Sequence, residues 1–290
     1  MLADSKRSEG LAVDAVQAGN KQWWTENTMS YDWHGEIAVE RFSLPWFDAI
    51  DQRFIESARL YGTDQRPFDR ILPFERLQGA QVLEIGCGMG LHTELMARAG
   101  AQVTALDLSP TSVEATKRRL ALKGLNARVL EGDAETIPAP DQSFDFIWSW
   151  GVIHHSSRTG RVVREIARVA RPDAEVRVMV YNRNGAWAYS ILVRDFLLKG
   201  QFLRRSFEET LYRSSDGFTA RFYVREQFED LFRAFFNDVS SELMGQESDV
   251  LPLPRQLRKL ALPLLPDRYQ RKAQATRGSF IFLTARQPAR

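Results

Sequence analysis

The segment Val82-Leu83-Glu84-Ile85-Gly86-Cys87-Gly88-Met89-Gly90-Leu91-His92-Thr93 constrains this chain more than any other. A short apolar run leads into three glycines at alternate positions, and a helical pattern follows at once. Glycine lets a backbone turn sharply and approach a ligand with no side chain between. The first turn of the helix that follows offers N–H groups without intrahelical partners. Such a turn needs no ligand by itself, so its meaning depends on the residues around it.

Spacing separates two kinds of nucleotide cofactor. A dinucleotide fold asks for G-x-G-x-x-G, the third glycine packing the helix on the strand beneath a pyrophosphate. Here that third position is Leu91, and the extra glycine comes one residue earlier, at Gly90. The loop is also preceded by Glu84. A carboxylate repels a pyrophosphate but attracts an amino group such as that of a methionine moiety. The pattern therefore disfavours NAD.

From Ala80 onward, short apolar runs alternate with amphipathic helices, which predicts βαβ units and a parallel sheet. The expected strands are residues 81–85, 102–106, 127–130, 144–148, 175–181, 237–242 and 279–285. Helices fall at about 91–99, 110–123, 160–171 and 225–235. Ser109 is placed to cap the second of these, with Pro110 in its first turn. The fold class is α/β: a doubly wound, mostly parallel sheet of seven strands. Residues 1–78 read as a helical, aromatic-rich lid and substrate region, and 79–182 as the cofactor-binding core. Residues 183–223 are too long for an ordinary connection and read as a cap insert. Residues 224–290 return to the core and carry a basic, Pro/Leu-rich insertion at 245–277.

Three further elements follow the glycine loop in order, each at the carboxyl end of a strand, where open α/β sheets bind ligands. Val103-Thr104-Ala105-Leu106-Asp107-Leu108-Ser109 ends a strand on an acid that can accept both hydroxyls of a ribose. That position serves a dinucleotide equally well, and Asp107 could instead cap the next helix, although Ser109 is better placed for it. Glu131-Gly132-Asp133-Ala134-Glu135 can accept from an exocyclic amine such as adenine's. Residues 144–155 run from a strand into a loop ending His154-His155.

Taken together, VLEIGCGMG (82–90), TALDLSP (104–110), EGDAETIP (131–138) and FDFIWSWGVIHH (144–155) resemble the class I S-adenosylmethionine-dependent methyltransferases. More narrowly they resemble the branch containing the ubiquinone and menaquinone biosynthesis methyltransferases. The resemblance covers about residues 80–181. It implies a Rossmann-like seven-stranded sheet with an antiparallel last strand, S-adenosyl-L-methionine as cofactor and S-adenosyl-L-homocysteine as product. It also implies that Glu84, Gly86, Cys87, Gly88 and Gly90 line the methionine and ribose part. Asp107 would hold the ribose hydroxyls, Leu108 would pack on adenine, and Asp133 and Ala134 would meet the adenine amine. Ser149 and Trp150 would sit at the methionyl end, and Tyr31 would fold over the cofactor from the N-terminal region.

The cofactor brings its own activated methyl group, which leaves the protein to align a nucleophile and exclude water. A hydroxyl or an acidic carbon as acceptor is helped by a base. His155 and His154 have neutral-pH basicity at the expected edge, though they could equally fix the loop into the next helix. Trp23, Trp24, Trp33 and Trp187 could wall a pocket for an apolar or planar small molecule. They could equally belong to a lid and cap packed on the sheet. The acceptor atom, O, N or C, has no sequence signature here, nor does the oligomeric state.

Composition excludes several other functions. The four histidines and one cysteine offer no zinc-binding spacing, so no metal is expected. Cys87 stands alone, which rules out an internal disulfide and fits a cytoplasmic chain. No signal-peptide core and no membrane-spanning run is present. Residues 251–290 hold nine Lys or Arg and one acid, Asp267, leaving the rest acidic. This tail has no recognised RNA-binding module, which argues against nucleic acid as a partner. Its alternating leucines and cations at 251–277 could rest on an anionic bilayer, making the chain membrane-peripheral. An RNA or protein methyltransferase and a catalytically silent methyltransferase-like binding module are the alternatives. The second is opposed by the intact glycine loop.

Overall fold

A computed structural model describes residues 12–30, 37–63 and 66–289. Seven strands follow in the order anticipated: β1 (Gln81–Ile85), β2 (Gln102–Asp107), β3 (Arg128–Glu131), β4 (Phe144–Trp150), β5 (Ala170–Asn182), β7 (Phe236–Met244) and β8 (Phe280–Pro288). An eighth, β6 (Phe222–Tyr223), has only two residues and adds to the end of β5 at Tyr181 and Asn182. Spatial order is β3-β2-β1-β4-β5-β8-β7. The first five strands run parallel, and β8 lies antiparallel between β5 and β7. This is the doubly wound sheet that the alternation of elements predicts, with the antiparallel last strand that the family resemblance implies. β5 begins five residues earlier than expected, where Ala170 pairs with Phe144 ahead of an irregularity in register.

Alternation along each strand sends side chains to two cores, one on each face of the sheet. Leu83, Ile147, Val178 and Leu283 face α5 (Thr159–Val169) and α8 (Arg225–Arg233), which contribute Val163, Ile166, Phe228 and Phe232. Val82, Val103, Phe146, Trp148 and Phe282 face the other way, where Met96 of α3 (Leu91–Arg98) and Leu120 of α4 (Pro110–Leu122) cover them. Tyr61, Phe68, Ile71 and Leu72 close that second core. Ser109 caps α4 by accepting from the Ser112 N–H at 3.2 Å, with Pro110 in the first turn, as its sequence predicts.

The N-terminal region supplies two helices, α1 (Val13–Glu26) and α2 (Leu44–Ser57). α2 buries Trp46, Phe47 and Ile50 against Met89 and Ala115. α1 instead fastens to the carboxyl edge of the sheet through hydrogen bonds. Asn20 donates to the His155 carbonyl at 2.7 Å, Gln17 donates to Asp133 at 3.0 Å, and Ser109 donates to the Trp24 carbonyl at 3.1 Å.

The stretch after β5 forms α6 (Ala186–Ile191), which runs on into π-helical turns, and then α7 (Phe207–Arg213). Residues 245–277 contain α9 (Glu247–Val250), α10 (Arg255–Ala261) and α11 (Asp267–Arg277). The last was legible only as an irregular stretch: Gln270 is its one buried residue, so it carries no apolar stripe. Among the described residues no helix is long and apolar enough to cross a membrane.

Candidate active site

The carboxyl ends of β1, β2, β4 and β5 open into one cavity of about 1200 Å³, roofed by α1, α2, α6, α9 and α10. Its first half is built on the glycine loop. Gly86 sits at φ +81°, and a Cβ there would lie 2.2 Å from Val152, so this turn excludes any side chain. Gly88 differs: a Cβ there would meet nothing within 4 Å, because this part of the loop faces open space. Gly86, Cys87, Gly88 and Met89 line the cavity, while Gly90 packs behind the loop against Thr116.

Asp107 ends β2 on the cavity wall. One of its carboxylate oxygens accepts from the Gly88 N–H and the other from the Ser109 N–H, both at 2.9 Å. The Leu108 N–H and the Ser112 side chain also bond to this carboxylate, which stands on the cavity wall. Burial raises its pKa and the surrounding N–H groups oppose that shift. Leu108, Gly132, Asp133 and Ala134 continue the same wall. Asp133 is held by Gln17 and by the Glu135 N–H at 2.8 Å.

Glu84 shares a sheet face with Val82 and lies beneath the loop, 1% exposed, where it accepts from the Thr93 hydroxyl. Burial pushes its carboxyl up to about 8; the Thr93 bond pulls it down and Asp107 pushes it further up. His92 Nδ1 stands 4.0 Å from Glu84 Oε1. Burial and Arg119 push this imidazole down to about 3, leaving it neutral on the cavity wall beside Phe54, Phe68 and Trp150. Cys87 is a buried thiol 3.4 Å from the Thr116 hydroxyl, with its pKa raised by burial and by Asp107. Thiolate chemistry is thereby disfavoured.

The second half of the cavity lies over β4 and β5. Trp150, Met179, Tyr181, Trp187 and Phe280 form aromatic and apolar walls, joined by Tyr61 from the segment after α2. Adjacent expected residues are split by local geometry. On β4, Trp150 reaches the cavity, whereas Ser149 is fully buried outside its lining. In the 3-10 turn Ile153–His155, His155 lines the cavity and His154 does not. Both ring nitrogens of His154 are sealed without a hydrogen bond, and burial followed by His155 lowers its pKa. His154 therefore lacks the access a base needs, because its ring packs 4.0 Å from that of Tyr181.

The His155 ring is oriented by the Thr219 carbonyl, 2.6 Å from Nδ1. A carbonyl only accepts, so Nδ1 carries a proton in this contact. Trp24 meets this ring edge-on at 5.0 Å, and Trp23 also lines the cavity. Tyr31 and Trp33 lie outside the described residues.

Several wall residues had no sequence signal. Tyr181 donates to Asp216 at 2.6 Å, and both line the cavity. Asp249 is buried and saturated by the Ser279 hydroxyl at 2.7 Å and by the N–H groups of Gln246 and Ser279, both at 3.0 Å. Tyr181 and Asp216, like Asp249 and Ser279, are tens of residues apart in sequence, so no local motif announces them. Among the described residues no His/Cys/Asp/Glu group has metal-binding geometry.

Known proteins share the part of the chain that carries this cavity. A family profile described as a methyltransferase domain matches residues 83–178. The ubiquinone biosynthesis O-methyltransferase of Salmonella paratyphi A is 31% identical over 178 residues, covering 57% of this chain and 69% of that protein. Its counterpart from Stutzerimonas stutzeri is 30% identical over 170 residues, covering 57% and 71%. Among solved structures, the cyclase SpnF superposes with a TM-score of 0.51 at 21% identity, covering 79% of this chain and 84% of that one. An N-methyltransferase of Haemonchus contortus, solved with phosphomonomethylethanolamine and S-adenosylhomocysteine, gives 0.51 at 19% identity, covering 74% and 51%. At these identities the structural likenesses speak to the fold alone.

Proposed function

Because this chain belongs to the class I S-adenosylmethionine-dependent methyltransferases, we propose that it methylates a planar, largely apolar small molecule of quinone-precursor or lipid-like character. One observation carries this reading: a single cavity joins the glycine loop to the aromatic walls over β4 and β5. Such a cavity can bring a cofactor and an acceptor together away from water, and that alignment supplies much of the rate in group transfer. Apolar and aromatic walls favour a planar apolar acceptor. The two relatives are named for the biosynthesis of ubiquinone, a quinone, which supports this reading.

The residues present fit the cofactor. Gly88 leaves open space beside the loop, and Asp107 lines the wall there as the acidic partner for ribose hydroxyls. Asp133 and Ala134 stand beside them on the wall to receive an adenine amine. Glu84, beneath the loop, would answer the methionine ammonium by charge. When bound, the cofactor supplies a methyl group on a positively charged sulfur, and the chain's own residues do the rest. Trp150 shields the methionyl end, while α1, tied down by Gln17 and Asn20, excludes water from the nucleoside side. For His155 the reading is that of an orienter: its Nδ1–H is committed to Thr219 and its ring is braced by Trp24. In this division of labour residues 1–78 form the lid, 79–182 the cofactor core and 183–223 the cap. Residues 224–290 complete the sheet and add the wall at 245–277.

The direct test is transfer of label from S-adenosylmethionine to a panel of quinone precursors, phenols, sugars and amines. Turnover of phenolic or quinone-like members above the others is expected. Turnover confined to sugars, or to protein or RNA substrates, would reject the acceptor class.

A peripheral contact with an anionic bilayer follows from the same region. On α10 and just beyond it, Leu257, Leu260 and Leu264 are 54%, 74% and 81% exposed beside Lys259, Arg268 and Arg271. In the cap, Leu198 and Leu203 are 80% and 77% exposed beside Lys199 and Arg204. Both elements also carry residues of the cavity wall, so a lipid surface resting here would lie next to the acceptor's path. Co-sedimentation with phosphatidylglycerol vesicles at low salt, reduced by Leu260→Glu and Leu264→Glu, is the expected result. Equal recovery with and without vesicles would dispose of the contact.

A further inference from the structure

Several polar groups around the acceptor half of the cavity are already committed. Asp249 is saturated by Ser279 and Gln246, and the Ser279 hydroxyl is taken by Asp249 and by the Trp187 N–H at 2.9 Å. The Tyr181 hydroxyl gives its one proton to Asp216 Oδ1 at 2.6 Å, and the His155 Nδ1–H goes to Thr219. Arg213 is paired with Glu209 at 2.8 Å. Asp216 Oδ2 is different: it makes no hydrogen bond or ion pair with any described residue, and Asp216 lines the cavity.

The loop carrying Asp216 is held firmly. Tyr212 donates to the Phe218 carbonyl at 2.5 Å, and Ser215 donates to the Tyr212 carbonyl at 2.8 Å. Gly217 adopts φ +79°, and a Cβ there would lie 2.6 Å from His155 Nδ1, so the loop packs against His155 as closely as backbone allows. A carboxylate on such a loop, with one oxygen fixed by Tyr181, presents the other in a defined direction.

We propose that Asp216, oriented by Tyr181, is the catalytic carboxylate that receives the acceptor's proton, restricting acceptors to those presenting an O–H or N–H. This rests on the methyltransferase reading above and names the acceptor's reacting group. In the transfer the acceptor oxygen or nitrogen forms its bond to the methyl carbon, and the carbon–sulfur pair stays on sulfur. The acceptor's proton passes to Asp216 Oδ2. The acceptor atom becomes strongly acidic as it gives up its lone pair, so a carboxylate suffices as base. Attack from carbon would leave Asp216 with no hydrogen bond to accept.

The test uses protein loaded with S-adenosylhomocysteine and two probes, para-hexylphenol and its methyl ether para-hexylanisole, titrated by calorimetry. The phenol should bind about tenfold or more tightly than the ether, as expected for a charge-assisted hydrogen bond. Asp216→Leu should equalise the two, whereas Tyr181→Phe, which keeps the carboxylate, should retain a preference. Where Asp216→Leu fails to fold because Tyr181 loses its partner, the double variant Asp216→Leu/Tyr181→Phe serves instead. Equal binding of both probes by the unaltered protein, or a preference that survives loss of the carboxylate, overturns the proposal. Failure of S-adenosylhomocysteine itself to bind would instead reject the function on which it rests.

Discussion

Glu84 holds its proton at neutral pH in the protein without ligand, because burial pushes its carboxyl up to about 8. A cation brought beside it favours the ionised form, so binding of a methionine ammonium expels that proton. The sign follows: affinity for S-adenosylmethionine should rise with pH, by at most about tenfold per unit between roughly pH 6 and 8, and level off above. His92, already neutral across this range, contributes no opposing charge. Isothermal titration at several pH values checks this, and Glu84→Gln should flatten the dependence. A pH-independent affinity in the unaltered protein would contradict it. At this scale the sequence was legible where one residue sits in one motif, as for Asp107 and Gly88. It was silent where chain geometry divides neighbours. His154 and His155 are adjacent and chemically identical, yet one turn of 3-10 helix seals the first and brings the second to the cavity.

At the scale of elements, the glycine loop is fixed from behind by Arg119 of α4. This side chain is fully buried, bidentate to Asp51 of α2, 2.6 Å from Glu94 of α3 and 3.3 Å from the Met89 carbonyl. One guanidinium thus ties the lid helix, the loop and two core helices together. Arg119→Met would strip the largely buried Asp51 of the guanidinium bonded to it and leave Glu94 to Arg98 and Lys123, which should cost about 3 kcal/mol, the lower end for breaking a buried pair. Urea denaturation reads that loss. A change under about 1 kcal/mol would mean that water already reaches the cluster. The core elements could be read from sequence because each carries its own period, two residues for strands and 3.6 for helices. β6 was missed because two residues hold no period, and α11 because it exposes charge on almost every side.

For the whole molecule, Glu175 on β5 binds distant segments together. Arg76 ahead of β1 lies 2.9 Å away, Arg286 on β8 2.8 Å and Arg177 2.6 Å. Burial would raise its pKa, but these three guanidiniums pull it down to about 2. A depressed carboxylate stabilises the fold above its unfolded pKa and loses that effect as pH falls. About 2–3 kcal/mol should therefore disappear between roughly pH 4.5 and pH 2. Glu175→Gln should lower stability at neutral pH and remove that part of the acid sensitivity, read as the midpoint of thermal unfolding against pH. Such long-range clasps are beyond sequence reading, as is the acceptor half of the cavity, where Tyr61, Tyr181, Asp216 and Phe280 come from four separate regions. The half built on the glycine loop was readable as a shared wall because its motifs each end a strand on the same edge of one sheet. A crystal structure with S-adenosylhomocysteine measures the joining of these two halves most directly. The prediction is a ribose on Asp107, an adenine beside Asp133 and Ala134, and the sulfur turned toward Trp150 and Tyr181. A nucleoside bound elsewhere, or a sulfur facing away from the β4 and β5 walls, would contradict it.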